Sequence, residues 1–317
     1  MQDRTTLTRR WFVIANPVAG GGRVGQQWPA LQSWLQTHLP NAEIACTQAR
    51  GHAISLARSA IKAGHRHLLA IGGDGTANEV ANAILEQQTV ESRSVTLALL
   101  PIGTGNDWIR SYGIPRRRDR WLQMLADGNC LIQDAGRLEY FDTGGIPRSR
   151  YFLNVVGIGF DASVVKHLQE QPLPRWIRQA YLLAILRHLM TYRSTPGRIC
   201  FDQQEWEGRF ITLEAGIGRF VGGGLQLLPH ARPADGQLAV TLARHTSKLD
   251  ILANIWRFFD GSIGRHSKID LRKVTHLSAE PLSAQPLLVE ADGEYLGRAP
   301  ARISLLPNSL KIITYNE

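Results

Sequence analysis

Apolar residues fall in two rhythms along the chain. From residue 11 to about 135, short apolar runs end in glycine- or proline-containing loops, and helix-period segments follow. "WFVIA" leads into a glycine loop and a helix carrying Trp28, Leu31, Trp34 and Leu35. "AEIACT" precedes a helix over 54–63, "HLLAI" one over 77–85, and "VTLALL" the loop Pro101 to Asp107. Buried strands alternating with helices predict a parallel sheet covered on both faces, with ligands at the carboxyl ends of its strands. From about 138 the rhythm becomes short alternating runs broken by Gly, Pro and Asp: "YFLNVVGIG", "RFITLEAGIG", "GQLAVTLA", "PLLVEADGEYLG", "ARISLL" and "SLKIITY". This predicts an antiparallel sandwich or barrel, interrupted by helices over about 174–193 and 248–260. The predicted fold is an α/β domain over 1–138 followed by a β-sandwich over 139–304, with the break in the polar stretch 139–150. A chain of 317 residues is long enough for two cores.

Composition narrows the classes. Hydrophobic content of 44% with 20% charged residues excludes a disordered chain. Cys46, Cys130 and Cys200 are odd in number and carry no C-x-x-C pair, which argues against a disulfide framework or zinc site and suits a cytoplasmic location. The N-terminal segment has too few apolar residues for a signal peptide and reads as a first strand. In the apolar segment 173–196 the longest uncharged run, 179–186, is eight residues, against about twenty needed to cross a bilayer. A core helix and a lipid-facing lid both remain open there. A net charge of +9 points to an anionic partner. The densest cluster, "RSYGIPRRRDRW" at 110–121, is either a solvated loop or a phosphate or lipid-headgroup contact, and "GRHSKIDLRKV" could rest on anionic headgroups.

The loops carry the candidate chemistry. Leu68 to Ile71 end a strand, and Gly72-Gly73-Asp74-Gly75-Thr76 follows at once. Its glycines allow positive φ and close approach, and Thr76-x-x-Glu79 matches a capping box. A nest of amides at a helix N-terminus suits phosphate, and Asp74 within it points to metal-assisted phosphoryl transfer. Thr104-x-x-Asp107 resembles another helix cap. Gly20-Gly21-Gly22-Arg23-Val24-Gly25 fits G-x-G-x-x-G, with Glu43 at the distance of a ribose-binding acid, which taken alone spells a dehydrogenase. Asp292-Gly293 and Asp235-Gly236 read as two-residue hairpin turns. A phosphoryl transfer needs a carboxylate to take the acceptor proton and acids to hold Mg²⁺.

Asn16-Pro17-x-Ala19-Gly20, Gly72-Gly73-Asp74-Gly75-Thr76-x-Asn78-Glu79 and Pro101-x-Gly103-Thr104-Gly105-Asn106-Asp107, in this order, resemble the diacylglycerol kinase catalytic-domain family of bacterial lipid kinases, diacylglycerol kinases and sphingosine kinases. The likeness continues through Asp134, 154–162, 227–238 and Asp292-Gly293-Glu294. It implies ATP-dependent transfer of the γ-phosphoryl group to a lipid hydroxyl in a cleft between the domains. It places Asn16, Pro17, Val18, Ala19, Gly20, Thr47, Gly72, Gly73, Asp74, Gly75, Thr76, Asn78, Glu79, Thr104 and Asn106 around ATP. Glu294 matches the general base, with Asp74 and Asp134 beside it in the catalytic set. Asp235, with the carbonyls of Arg232 and Gln237, matches a family Mg²⁺ site. The last segment, 305–317, would return to the first domain. The implied partners are a lipid and an anionic membrane surface met peripherally, with no nucleic acid and a homodimer left open. The rival readings are an NAD-kinase-like phosphotransferase, a dehydrogenase, and a silent lipid- or nucleotide-binding protein of the same fold.

Overall fold

The computed structural model describes residues 5–103, 105–171 and 178–315. It divides into two units, Met1–Ala135 with Pro307–Glu317, and Gly136–Leu306.

In the first unit, strands Trp11–Ala15, Glu43–Cys46, His67–Gly72 and Thr96–Pro101 are parallel. The second strand flanks the first on one side, and the third and fourth follow on the other. Lys311 and Ile312 of the returning segment extend the sheet beside Thr96 and Leu97. Three of the four strands are almost wholly buried, which is why they read as unbroken apolar runs. Right-handed crossovers put helix Trp28–His38 on one face and helices His52–Lys62 and Asp74–Glu86 on the other. Trp34 and Trp121 meet at 6.1 Å, so helix Arg118–Asp127 shares the first face. Helix His52–Lys62 buries Ala53, Ala57, Ala60 and Ile61, one stripe at 3.6-residue spacing. The chain order reverses between the first and third strands, and such a reversal opens a crevice at the carboxyl ends of a parallel sheet.

The second unit is an antiparallel sandwich. Strand Gln204–Gly216 links two sets of strands: its first half pairs Thr195–Phe201, and its second half pairs Val155–Gly159 and Leu238–Arg244. Strand Glu294–Ile313 does the same, pairing Leu288–Ala291 and then His276–Pro281. Phe152, Val156, Ile158, Ile199, Phe210 and Val289 fill the space between. Because side chains alternate, Gly157, Glu214, Glu290 and Thr241 lie on the opposite face of their sheet, in one row across neighbouring strands. Helix Phe160–Glu170 follows directly from Val155–Gly159.

Several expectations need correction. The polar stretch 139–150 belongs to a hairpin, Gly136 to Phe141 pairing with Pro147 to Phe152. "ARISLL" and "SLKIITY" are parts of one 20-residue strand. Thr195–Phe201, Ile269–Val274 and His276–Pro281 were not foreseen as strands. The helix expected at 248–260 is two short ones, Lys248–Ala253 and Arg257–Asp260. The helix expected at 174–193 is described from Arg178 to Thr191; its beginning lies outside the described residues.

Candidate functional site

Three strand-end loops of the first unit close on one another. Asn16 Nδ2 donates to Thr76 Oγ1 at 3.1 Å, tying the first loop to the second. A Cβ on Gly73 would stand 3.2 Å from the Cα of Gly103, and one on Gly103 would stand 2.6 Å from the Cα of Gly73, so the second and third loops pass backbone to backbone. A Cβ on Gly20 would lie 2.2 Å from the Ile102 carbonyl, closing the triangle. Asp74 Oδ2 accepts the Asp107 amide at 2.8 Å, and Asn106 Nδ2 donates to the Gly103 carbonyl at 3.1 Å. Around Gly21, Gly22 and Gly75 a Cβ would meet nothing within 4 Å. The triangle is thus tight where loops touch and open in space at Gly21 and Gly75, an arrangement that fits an anion; the Gly22 amide is taken by the Val18 carbonyl at 3.0 Å. Thr47 joins the group through its amide, which donates to Ala15. Thr104 lies outside the described residues.

The reasons for these glycines differ from the expectation. Gly72, Gly73 and Gly75 are not at positive φ; Gly72 is small because Thr76 Oγ1 would lie 2.4 Å from its Cβ. Positive φ belongs to Gly20, Gly21 and Gly22. The Thr76–Glu79 capping box is absent: helix Asp74–Glu86 begins earlier, at Gly73, with no side-chain cap. Glu79 instead accepts the Gly51 and Ala53 amides, capping helix His52–Lys62 across 28 and 26 residues. Asn78, expected beside the nucleotide, is buried and accepts from Asn82. The Asp107 helix likewise lacks a local cap; its amide goes to Asp74. Glu43 begins its strand and pairs with Arg10 and His65, at the end away from the loops, so the ribose acid of a dehydrogenase is missing.

Asp134 is buried in the first unit, and its Oδ1 accepts the Asn308 amide at 2.8 Å, fixing the returning segment. Arg23 and Arg116 hold the carbonyls of Gly20 and Gly105 at 2.8 and 3.0 Å. Arg116 belongs to the arginine cluster 110–121, in which Arg117 pairs with Asp119 and Arg118 with Gln27.

In the second unit, Asp292 and Gly293 have φ of 50° and 79°, both left-handed, as a two-residue hairpin turn requires. The Asp292 carboxylate also accepts the amides of Leu153, Asn154 and Val155 at 2.8, 3.0 and 3.0 Å. Burial pushes its pKa up, and the three amides pull against that rise. Glu294, which follows the turn, pairs with Arg150 at 2.6 Å. Asp235-Gly236 is not a hairpin turn; it sits within the long connection from Gly216 to Leu238. Asp235 Oδ1 accepts the Gln237 amide, and Oδ2 is ion-paired with Lys273. A lysine ammonium thus faces the carboxylate expected to hold Mg²⁺ with the Arg232 and Gln237 carbonyls. A pocket of about 440 Å³ is lined by Ser163, Lys166, His188, Tyr192, Gln285 and Leu288. Burial lowers the His188 pKa, with His167 adding to it, and raises that of Tyr192 to about 12. Lys166 lies 5.5 Å from the Tyr295 ring, beside Glu294.

Residues 10–138 match the diacylglycerol kinase catalytic domain, and residues 154–314 match the YegS C-terminal NAD kinase beta sandwich-like domain. A Pseudomonas aeruginosa protein named "Probable lipid kinase YegS-like" is 32% identical over 269 residues, covering 85% of this chain and 83% of that one. The chain belongs to the diacylglycerol kinase catalytic-domain family. It is therefore an enzyme of a kinase family, with the two-domain α/β and β-sandwich fold. The family member named diacylglycerol kinase from Mycobacterium tuberculosis is 29% identical over 303 residues, covering 95% and 93% of the two chains. A solved Bacillus anthracis structure named for diacylglycerol kinase superposes with a TM-score of 0.75 at 23% identity, over 96% and 97% of the chains. Yeast NADH kinase superposes at 0.51 with 8% identity, over 98% of this chain and 84% of that one, a likeness of fold alone.

Proposed function

We propose that this kinase transfers the γ-phosphoryl group of ATP to a hydroxyl of a diacylglycerol-like lipid. The observation that carries the reading is the closed triangle of loops at the sheet's reversal point, held by Asn16–Thr76, Gly73–Gly103 and Gly20–Ile102 contacts. Asn16 to Gly20, Thr47, Gly72 to Thr76 and Asn106 form the nucleotide's seat, and the open backbone at Gly21 and Gly75 takes its phosphates. Asp74, fixed by the Asp107 amide, offers the hard oxygen donor that suits Mg²⁺ arriving with the triphosphate. That ion, when bound, neutralises phosphate charge. Asp134, Asn78 and Glu79 act by holding helices and the returning segment in place.

Glu294 is the base. The lipid oxygen forms its bond to the γ-phosphorus while the β,γ-bridging P–O bond breaks. The hydroxyl proton passes to the Glu294 carboxylate, and ADP leaves. A loose transition state of this kind depends mainly on positioning, and Arg150 supplies it for Glu294. The pocket of Lys166, His188 and Tyr192 receives the acceptor's polar end.

The kinase meets its lipid at an anionic membrane surface. Among the described residues no helix is long and apolar enough to cross a membrane. Leu249, Trp256 and Phe259 are 76%, 50% and 49% exposed, and Arg257 lies 4.6 Å from the Trp256 ring. Apolar side chains beside a cation suit a surface that is both greasy and charged.

The test is incubation of the full chain with γ-labelled ATP, Mg²⁺ and a total lipid extract. Label in a lipid supports the reading; label in no lipid, or in NAD⁺ when that is added as a competing acceptor, overturns it. Flotation with anionic vesicles should fall at high salt and in Trp256→Ala; unchanged flotation would remove the membrane claim.

A further inference from the structure

Asp161, Glu214 and Glu290 bring their ligand atoms within 4.8 Å of one another on the face of the sandwich sheet opposite its core. Their convergence follows from register. Glu290 and Glu214 both lie opposite Gly157, one on each neighbouring strand, and Asp161 follows from the first turn of helix Phe160–Glu170. Gly157 leaves the middle of the row empty: a Cβ there would stand 2.8 Å from Asp161 Oδ2 and 2.9 Å from Glu290 Oε1.

Two of the oxygens have protein donors. Thr212 Oγ1 donates to Glu214 Oε1 at 2.6 Å, and the Gly293 amide donates to Glu290 Oε2 at 2.8 Å. Glu214 Oε2 is different. Glu214 is fully buried, and this oxygen has no hydrogen-bond partner among the described residues. A buried carboxylate oxygen without a donor costs far more than a surface one. Burial raises all three pKa values, Asp161 to about 6 against a hydrogen bond shared with Glu290, and repulsion from the neighbouring acids raises those of Glu214 and Glu290 further; among the described residues no lysine, arginine or histidine acts on any of them. Asp134 and Asp292, by contrast, have amide donors, Asn308 for the first and three successive amides for the second.

We propose that Asp161, Glu214 and Glu290 form a buried site for a divalent, oxygen-preferring cation above Gly157. The donor set is all hard oxygen, which suits Mg²⁺, Ca²⁺ or Mn²⁺ and excludes thiophilic metals. Such an ion cancels two of the charges and gives Glu214 Oε2 its partner. It also acts on the turn, because Glu290 holds the Gly293 amide next to Glu294. That last consequence rests on the proposed role of Glu294; the binding itself does not.

Equilibrium dialysis of the full chain against Mn²⁺, without nucleotide or lipid, tests the site apart from turnover. The wild type should bind one Mn²⁺ per chain, detected also by loss of the free-ion electron paramagnetic resonance signal, and should unfold at higher temperature when it does. Glu214→Gln and Gly157→Ala should each weaken binding by at least about tenfold, the range for disturbed metal sites, while Asp235→Asn leaves it unchanged. A wild type that binds no Mn²⁺, or binding that survives Glu214→Gln and falls in Asp235→Asn, overturns the proposal. The wild-type measurement decides the matter even where a variant fails to fold.

Discussion

The loop Gly72-Gly73-Asp74-Gly75 in the first unit and the turn Asp292-Gly293-Glu294 in the second are alike in composition and opposite in construction. In the loop, the glycines keep ordinary backbone angles, and Gly72 and Gly73 are small because Thr76 or another loop presses on them. In the turn, Gly293 sits at φ of 79° with nothing within 4 Å of where a Cβ would be. One glycine set answers crowding, the other chirality. The carboxylates differ too: Asp74 accepts an amide from a neighbouring loop, while Asp292 braces three successive amides two residues before Glu294, the proposed base. The first arrangement suits a seat for phosphate, and the second suits a rigid mount for a base.

The largest effects should separate seat from mount. Glu294→Gln should lower turnover by about 10²- to 10⁴-fold, the usual worth of a positioned base, with nucleotide affinity unchanged. Asp74→Asn should lower turnover to a similar degree and also weaken Mg²⁺-dependent nucleotide binding. Calorimetric titration with an ATP analogue beside a turnover assay reads both. Equal loss of nucleotide binding in the two variants would erase the distinction.

Asp292→Ala comes next, because it strips the acceptor from the Leu153, Asn154 and Val155 amides. Each buried group left unpaired costs about 1–3 kcal/mol, so urea unfolding should show a clear loss of stability in the second unit. A midpoint equal to that of the wild type would mean that water replaces the carboxylate without cost.

Much of this was legible in the sequence where the physics is local. Apolar runs followed by glycine loops gave the parallel sheet, and Asp-Gly between two alternating runs gave the turn at Asp292. What was missed depends on residues far apart in the chain. Thr76 and Glu79 have the spacing of a capping box, yet Thr76 is used by Asn16, 60 residues away, and Glu79 caps a different helix. Glycine alone does not reveal whether space or φ is the reason for it, since only the partner loop decides. The row Glu290, Gly157 and Glu214 exists only through the register of three strands. Pro300 and Pro307 read as breaks in the last strand, because proline is rare inside sheets, and the strand nevertheless runs through both.

Gly103→Ala should cost less than the loss of Asp292's carboxylate. Its Cβ would stand 2.3 Å from Asn106 Oδ1 and 2.6 Å from the Gly73 Cα, so loops must part. Overpacking of this kind costs about 1–3 kcal/mol, and nucleotide affinity should fall with it. Gly293→Ala carries no clash and should cost roughly 1 kcal/mol, the price of a left-handed angle for an L-residue, without touching nucleotide binding. If Gly103→Ala were tolerated and Gly293→Ala were not, space and angle would have been assigned to the wrong loops.

The smallest structural effect is the most informative. Gly75 lies in the first turn of helix Asp74–Glu86, away from positive φ, and a Cβ there meets nothing within 4 Å. Nothing in the protein itself therefore requires glycine at this position. Alanine is the better helix former by roughly 0.5–1 kcal/mol, so Gly75→Ala should leave the unfolding midpoint equal or slightly raised. A methyl group over these amides would still keep a phosphate at a distance, so the same variant should bind the ATP analogue more weakly than the wild type. Stability maintained with affinity lost means that the glycine is there for a ligand; affinity unchanged would mean that the triphosphate does not approach the loop from this side.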